Sequence, residues 1–365
     1  MESRPRGADV VPGVAVAGEA VGAVTAVGPS DPSTSVVAVA GGTGFVGGAI
    51  ARALVARGYH VIVLTHRPVP AGSPDGGAPS RVALADASSP RVPVMPDAPE
   101  PGASADRVEF RAADIARPET LARSLVGVDI LVVSLAFRNS PIEAPRRGQT
   151  FEQVDALGTE RLVAAAKAAG VGRLVYMSGA GAAVDAPKHW FRAKWRAEQA
   201  VRDSGISYTI FRPSWIYGAG DKSLNRFIGF SRWLPFIPQI GNGKQRMAPI
   251  LVDDMGELVA DALDSHATHN VTIDVGGPDT VSMDDVIRMA LHVMRRRRPI
   301  LHAPIFMMKI ATAPLTLLPT PPMTPAAIDF VVQSAPVDTT ELSRLLPRRL
   351  RTVAEGLATY MGPGR

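Results

Sequence analysis

The sequence predicts an α/β protein with a doubly wound parallel sheet and a smaller C-terminal lobe. Short β-branched runs alternate with longer Ala-rich amphipathic stretches over much of residues 36–213, which is typical of strand–helix–strand units in a parallel sheet. The first run enters a glycine-rich turn, and after about Gly218 the alternation loosens. Ligands of such sheets bind at the carboxyl ends of the strands, so we expect functional residues directly after each strand.

The period and length of each segment predict the individual elements. The predicted strands of the sheet are Val36–Ala40, His60–Leu64, Val108–Arg111, Ile130–Ser134, Arg173–Met177 and Tyr208–Phe211. The predicted helices are Gly44–Arg57, Pro118–Leu125, Phe151–Ala169 and Trp190–Ser204. Later in the chain, we expect a strand at Val271–Val275 and a helix at Met283–Met294.

The distribution of Gly and Pro predicts which parts of the chain lie outside the core. The chain has 34 Gly and 32 Pro in 365 residues, and much of this excess falls in residues 1–35 and 68–105, which have no strand or helix period. We expect a disordered tail over 1–35 and a disordered insertion over 68–105. A signal peptide is the alternative for this segment, but Pro12 and Glu19 interrupt its apolar run, so we expect the tail. The expected domains are a dinucleotide-binding domain over 36–220 and a substrate or partner lobe over 221–365, interleaved with the core.

Composition excludes several classes of function. Without any Cys, the chain has no disulfide, thiolate metal site or cysteine nucleophile. A net charge of +5 is too small and too dispersed to indicate nucleic-acid binding. His266 and His269, near Asp264, are the only hint of a metal site. No third ligand stands at a recognisable spacing, so we expect a solvated helix end there and no metal.

The strongest chemical signal is the turn after the first predicted strand. The segment Gly41-Gly42-Thr43-Gly44-Phe45-Val46-Gly47 fits both GxGxxG and GxxGxxG. Glycine there permits a tight turn and a close approach to a pyrophosphate at the helix N-terminus. A plain strand–helix turn is the alternative, but the flanking strand and amphipathic helix favour dinucleotide binding. The contacts predicted from this turn are Gly41, Thr43, Gly44, Phe45, Val46 and Gly47.

The end of the second predicted strand favours NADP over NAD. An Asp or Glu at this place would bind the ribose 2′-hydroxyl of NAD, but the chain has Thr65, His66 and Arg67. Arg67 can pair with the 2′-phosphate of NADP; the alternative is that Arg67 is only a solvated charge.

Further cofactor contacts are predicted where the third and fourth strands end. Asp114, followed by Ile115, would accept a hydrogen bond from the adenine amino group, or would instead cap the helix near Pro118. Leu135 and Ala136 would pass beneath the cofactor.

These motifs resemble the short-chain dehydrogenase/reductases, in the extended and atypical branch of NAD-dependent epimerase/dehydratase-like proteins. Beyond the glycine turn, the resemblance rests on Val154-Asp155-Ala156-Leu157-Gly158-Thr159, Tyr176-Met177-Ser178, Ala193-Lys194 and Arg212-Pro213-Ser214. Three further segments are similar to relatives of the NADPH-binding accessory subunit of respiratory complex I: Leu224-Asn225-Arg226-Phe227, Val252-Asp253-Asp254 and Val275-Gly276-Gly277-Pro278. The resemblance covers roughly residues 36–67 and 107–290. It implies a Rossmann fold, with Lys194 and Pro213 among the cofactor contacts.

The resemblance also implies a catalytic Ser, Tyr and Lys, with the Tyr four residues before the Lys. That spacing places phenol and ammonium on one helix face. Ser178 and Lys194 match, but Trp190 stands at the Tyr position, and an indole N–H does not exchange a proton near neutral pH. Asp155 stands where the extended family often has Asn.

Three hypotheses on function follow. In the first, Lys194 holds the nicotinamide ribose, and the protein binds NADP(H) without the usual Tyr-dependent catalysis. In the second, the protein is an active NADPH-dependent reductase or epimerase on a small or apolar substrate, and Tyr217, at the mouth of the crevice, is a weak candidate for the proton donor. In the third, the protein is a non-catalytic assembly factor that associates with a protein partner or a membrane.

Residues 295–318 carry the signal for a membrane contact. Arg295–Arg298 precede the apolar stretch Pro299–Leu318, in which Pro304 and Lys309 argue against a transmembrane span. The stretch is either a lobe helix that covers the substrate cleft or a helix that lies on an anionic membrane or a partner. We expect a cytoplasmic protein, and a location peripheral to the membrane is left open.

Overall fold

The computed structural model describes residues 31–66, 107–229, 231, 233–318, 321 and 323–362. The predicted insertion, Arg67 and residues 1–30 of the predicted tail lie outside these residues. The last part of the predicted tail, residues 31–35, forms a turn. In it the Asp31 carboxylate accepts a hydrogen bond from the Ser33 N–H, and the Asp31 carbonyl accepts one from the Ser35 N–H.

Seven parallel strands form the central sheet, which confirms the predicted fold class. They are β1 Val36–Ala40, β2 His60–Thr65, β3 Val108–Ala112, β4 Ile130–Val133, β5 Arg173–Met177, β6 Ser207–Pro213 and β11 Val271–Val275. Their order across the sheet is β11-β6-β5-β4-β1-β2-β3. The winding direction reverses between β1 and β4, so the ligand crevice of this topology lies at the carboxyl ends of these two strands.

Helices cover both faces of the sheet. They are α1 Phe45–Ala56, α2 Pro118–Ser124, α3 Leu157–Ala168, α4 His189–Arg202 and α6 Val252–Leu263. Along β1, Val37 and Val39 pack with α1 and α6, whereas Ala38 and Ala40 pack on the side of α2, α3 and α4. This alternation buries a β-branched or small apolar residue on each face, as a parallel sheet covered on both sides requires.

The lobe is built from the remaining elements. Its strands form three pairs, β7 Trp215–Tyr217 with β10 Pro249–Leu251, β8 Ile237–Ile240 with β13 Ile300–Ala303, and β9 Arg246–Met247 with β12 Val281–Ser282. Its helices are α5 Leu224–Gly229, α7 Met283–Val293, α8 Ile305–Thr312, α9 Pro325–Val331 and α11 Val353–Tyr360. Helix α10 Thr340–Leu345 packs instead against β11, in the core on the α1 and α6 face of the sheet. Although α6 and β11 come after residue 220, they belong to the layers of the sheet domain.

A buried carboxylate joins α4 to two strand ends. Glu198 is 0% exposed and accepts two hydrogen bonds from the Arg212 guanidinium, at 2.7 and 2.6 Å. Arg202 donates to the same carboxylate at 2.8 Å, and the Ser178 hydroxyl donates to it at 2.5 Å. These bonds compensate the cost of burying the charge and set the position of α4 against β5 and β6.

We expect Glu198→Ala to lower the free energy of unfolding by about 3–5 kcal/mol, because it leaves the Arg212 and Arg202 guanidinium groups without their carboxylate. Urea unfolding measures the loss. Glu160→Ala is the matched control: Glu160 pairs with Arg196 at the surface, and its loss should cost about 1 kcal/mol or less. Equal losses in the two variants would contradict the structural role of Glu198.

Candidate functional site

The glycine turn between β1 and α1 is closely packed. Gly41 has φ +86°, and a Cβ atom on it would lie 2.2 Å from the carbonyl oxygen of Ser134. A Cβ atom on Gly47 would lie 2.3 Å from the carbonyl oxygen of Gly41. At Gly42 the nearest atom, in the Val63 side chain, is 3.0 Å away. Packing therefore requires glycine most strictly at Gly41 and Gly47. The GxxGxxG pattern contains both, whereas GxGxxG contains only Gly47.

The N-terminus of α1 is open to an anion. Gly44 is its N-cap, in an extended conformation, with no capping side chain and no acidic residue in the first turn. Thr43 and Gly44 are exposed, whereas Phe45 and Val46 are half-buried. The first N–H groups of a helix have no partner within it, and they attract negative charge. The turn thus fits a pyrophosphate.

Two predicted contacts pack together beside this turn. Leu135 follows the end of β4, and Ile115 follows β3. Both side chains lie against Gly158, where a Cβ atom would come within 3.3 and 2.8 Å of them, respectively. Ala136, next to Leu135, is exposed. The structure therefore brings these three residues to the carboxyl edge of the sheet, near the Ser134 carbonyl that touches Gly41.

Asp114 has a local structural role. One carboxylate oxygen accepts a hydrogen bond from the Ala116 N–H at 2.9 Å, and the other accepts one from Arg117 at 3.1 Å. The Asp114 N–H donates to the Thr120 hydroxyl of α2. Of the two roles predicted for Asp114, the structure therefore shows stabilisation of the turn into α2, and the adenine contact stays a prediction.

Lys194 lies in a buried polar cluster with Asp155 and Tyr176. Its ammonium is 2.6 Å from the Asp155 carboxylate, and it donates a hydrogen bond to the Met177 carbonyl at 3.1 Å. The ammonium also lies 5.4 Å from the centre of the Tyr176 ring. A π-helical turn over Phe151–Ala156 carries Asp155 towards Lys194, so a direct ion pair forms between α4 and the segment that leads into α3.

Burial and charge act in opposite directions on this cluster. Burial disfavours the charged form of Lys194, but the Asp155 carboxylate outweighs it and raises the pKa of Lys194 above its usual value. Burial raises the pKa of the Asp155 carboxyl, and Lys194 opposes that rise. Burial also raises the pKa of the Tyr176 phenol. At neutral pH Lys194 is therefore charged, and the Tyr176 phenol is neutral.

Trp190 is packed in an aromatic cluster that joins the sheet domain to the lobe. It is 4% exposed, and its indole N–H donates to the Gln333 side chain at 3.2 Å. The Phe330 ring of α9 lies 5.4 Å from Trp190 and 5.9 Å from Phe151. The Phe137 ring lies 5.0 Å from Phe151. Apolar rings therefore surround the position four residues before Lys194.

Ser178 and Pro213 lie at the ends of β5 and β6. The Ser178 hydroxyl donates a hydrogen bond to the Glu198 carboxylate. Towards any other ligand it can therefore act only as an acceptor. The Pro213 carbonyl accepts a hydrogen bond from the Ala180 N–H at 3.0 Å, and its contact with a cofactor stays a prediction.

The prediction that Tyr217 lies at the mouth of the crevice is wrong. Tyr217 is 0% exposed, and its hydroxyl donates towards the carbonyls of Thr352 and Val353 at 3.3 and 3.5 Å. It packs in a lobe core with Leu224 and Leu357. Helix α11, which covers it, comes more than 130 residues later in the chain, so the local sequence gave no sign of this burial.

Sequence reasoning missed four residues of the site. Tyr176 stands in a strand-end motif of the sequence, and the alternation of β5 places it on the α4 face. Glu198 follows Lys194 by one helical turn, and that spacing was the available signal. Phe330 and Gln333 lie about 140 residues after Trp190, and nothing in their local sequence marks them.

The described part of the chain contains no cluster of metal ligands and no helix that could span a membrane. No three His, Asp or Glu side chains lie close enough to hold a metal ion. The His266 and His269 rings lie 5.2 Å apart, but nearby Asp264 is bound by Arg57 and Tyr59. None of the helices in this part is both long and apolar enough to cross a bilayer. The cytoplasmic location stays a prediction.

Comparison with known proteins identifies the cofactor class. The family model described as NAD(P)H-binding matches residues 82–229, a range that includes Asp155, Ser178 and Lys194. Subunit 9 of the mitochondrial NADH dehydrogenase (ubiquinone) 1 alpha subcomplex of Arabidopsis thaliana is 27% identical over 289 residues. The alignment covers 79% of this chain but only 65% of the Arabidopsis protein.

A ceramide reductase of Caulobacter vibrioides is 24% identical over 269 residues, which are 74% of each chain. Among solved structures, UDP-N-acetylglucosamine 4-epimerase from Bacillus cereus has the same fold, with a TM-score of 0.63 and 17% identity over 90% of this chain and 98% of that one. These findings confirm the predicted resemblance to the extended short-chain dehydrogenase/reductases and show an NAD(P)-binding domain.

We expect Gly47→Ala to weaken NADPH binding and to lower the free energy of unfolding by about 1–3 kcal/mol, because the new Cβ atom would displace the Gly41 carbonyl. Titration with NADPH and thermal unfolding measure the two effects. Gly48→Ala is the control on the same helix, since its Cβ atom would meet its nearest neighbour at 3.4 Å. If the two variants behaved alike, the packing account of the turn would be wrong.

Proposed function

We propose that the protein holds NADPH and does not act on a substrate by the Tyr-dependent mechanism usual among the short-chain dehydrogenase/reductases. The observation that carries this proposal is Trp190. It occupies the position four residues before Lys194, and its indole N–H is already bonded to the Gln333 side chain. An indole neither gives up nor accepts a proton near neutral pH, so the proton relay lacks its phenol.

The surroundings of Lys194 support a role in holding a ribose. An ammonium has three N–H donors, and two of them are directed at Asp155 and the Met177 carbonyl. We infer that the third donor binds a ribose hydroxyl of the cofactor; 17% of the Lys194 side chain is exposed. Bound NADPH would supply a hydride donor at its nicotinamide ring. The Asp155 carboxylate neutralises the buried lysine, so the position of its ammonium does not depend on a phenol.

The lobe closes over the aromatic cluster. Asp329 of α9 pairs with Lys188 at 3.0 Å and with Lys309 at 2.6 Å, which holds α9 against the start of α4. Phe330 then lies beside Trp190. Side chains of the protein itself therefore fill the space next to the indole, and this packing supports a bound cofactor rather than a cycling substrate.

The preference for NADP is also part of this proposal. It rests on Arg67 and on the lack of an acidic residue at positions 65–67, since a carboxylate would repel the 2′-phosphate and a guanidinium would bind it. A role as a cofactor-holding component of a larger assembly agrees with the Arabidopsis relative, which is named as a subunit of NADH dehydrogenase.

A second candidate function is an active NADPH-dependent reductase. Tyr176 favours it, because this phenol lies beside the Lys194 ammonium although it comes from β5 rather than from α4. The rings of Phe137, Phe151 and Phe330 fit an apolar substrate, and one relative is named a ceramide reductase. Against it, Tyr176 is only 1% exposed, so a substrate could reach the phenol only after the cluster opened.

We expect NADPH to stabilise the protein more than NADH does. A ligand at 100 times its Kd adds about 2.7 kcal/mol to the free energy of unfolding, which thermal unfolding detects. Arg67→Ala should reduce the effect of NADPH by a loss of about 1.5–3 kcal/mol in binding and leave the effect of NADH unchanged. A larger shift with NADH than with NADPH would overturn the role given to Arg67.

The two candidate functions differ in turnover. We expect no oxidation of NADPH by aldehydes, ketones or quinones above the rate measured without protein, because no accessible phenol stands beside Lys194. The assay follows the nicotinamide absorbance and compares the native chain with Tyr176→Phe. Turnover that disappears in Tyr176→Phe, with NADPH binding retained, would establish the reductase and refute the non-catalytic proposal.

A further inference from the structure

The lobe carries a run of four arginines, Arg295–Arg298, that pairs with no carboxylate of the described residues. Residues 286–328 contain six Lys or Arg residues and no Asp or Glu. Arg288 and Lys309 have acidic partners from outside this stretch, Asp284 and Asp329 respectively. The four others, Arg295–Arg298, form no ion pair with any residue that the structure describes. A cluster of four unpaired guanidinium groups at one end of α7 creates a local site for an anion.

These arginines border a shallow cleft of about 430 Å³. Its lining includes Arg288, Arg296, Arg297 and Arg298, with Leu291 and Pro299 as its apolar part. The Arg296 guanidinium donates to the Ser231 hydroxyl at 3.1 Å, which holds one side of the cleft in place. The dimensions and charge of the cleft suit a phosphate group whose substituents extend along an apolar wall.

An exposed tryptophan closely follows the serine that bonds to the cleft. Trp233 is 87% exposed and comes two residues after Ser231, the partner of Arg296. The chain's three other tryptophans, Trp190, Trp195 and Trp215, are buried or half-buried. Exposed indoles are typical of proteins at the level of lipid headgroups, where the ring is partly in contact with the hydrocarbon and the N–H stays hydrated.

Helix α8, which follows β13 in the chain, exposes large apolar side chains. The exposed fraction is 65% for Phe306, 55% for Met307 and 70% for Ile310. Leu301 on β13 is 51% exposed, and Leu317 after α8 is 88% exposed. The four residues of β13 span about 13 Å, and this strand connects the arginine cluster to α8. Soluble monomers rarely expose so many neighbouring apolar groups without a binding role.

We propose that this surface, formed by Trp233, Arg295–Arg298 and α8, docks the lobe onto an anionic lipid bilayer, with a lipid phosphate in the arginine cleft. Anionic headgroups supply a partner for Arg295–Arg298, which pair with no described carboxylate, and the acyl region accepts Phe306 and Ile310. A bilayer is favoured over a protein partner because one surface then accounts for both the unpaired arginines, which attract anionic headgroups, and the exposed indole, which suits the headgroup level. This inference does not depend on the proposed cofactor role.

Sedimentation of the full chain with vesicles tests the proposal. We expect binding to vesicles of phosphatidylcholine mixed with phosphatidylglycerol, and no binding to phosphatidylcholine alone. Each arginine near such a surface contributes about a fivefold factor in affinity, so Arg297→Ser with Arg298→Ser should weaken binding about 25-fold. The control is Arg123→Ser with Lys167→Ser, which removes two exposed charges from α2 and α3 and should change binding much less.

The fluorescence of Trp233 measures insertion into the bilayer separately from the effect of charge. Trp233 fluorescence should shift to shorter wavelength on vesicle binding and should be quenched by lipids with brominated acyl chains, and Trp233→Phe should abolish both changes. Phe306→Ser with Ile310→Ser should weaken binding without unfolding the protein, since both side chains are exposed. The proposal is overturned by absence of binding to anionic vesicles, by equal weakening in the two charge variants, or by a Trp233 shift with inorganic phosphate but none with vesicles.

Discussion

The geometry of the site depends on one buried carboxylate, that of Glu198. It accepts hydrogen bonds from Ser178 at the end of β5 and from Arg212 on β6, in addition to Arg202 on its own helix. Trp190 and Lys194 precede Glu198 by two helical turns and one helical turn, respectively, on the same face of α4. The bonds that fix Glu198 therefore also determine where the indole and the ammonium stand relative to the strand ends.

The contacts of Trp190 and Lys194 then determine which chemistry is possible at the carboxyl ends of the strands. Asp155 balances the charge of Lys194, so the lysine stays charged and in place without a phenol at position 190. Gln333 takes the only donor of the Trp190 ring, and Phe330 covers that ring with a part of the lobe. Gln333 and Phe330 therefore cover the part of the sheet edge where a proton relay would meet a substrate. The glycine turn across the crevice stays open.

Local patterns in the sequence predicted the elements and the cofactor turn well, because these depend on neighbours in the chain. The strand Val36–Ala40 agrees residue for residue, and the need for glycine at position 47 follows from a contact with the Gly41 carbonyl, six residues earlier. Long-range packing was not predictable in the same way. Tyr217 is buried by a helix more than 130 residues later. The local spacing of Glu198 indicates its helix face, but it does not show the bonds that its carboxylate accepts from Ser178 and Arg212 at the strand ends.

The most direct measurement of the central claim is the identity and redox state of the nucleotide that the purified full chain carries after loading with an equal mixture of NADPH and NADH. Extraction and chromatography separate the four possible forms. The account predicts NADPH in amounts approaching one per chain, little NADH, and the same reduced fraction after incubation with carbonyl compounds and quinones. A chain that retained mainly NADH, or whose bound NADPH became oxidised in that incubation, would contradict it.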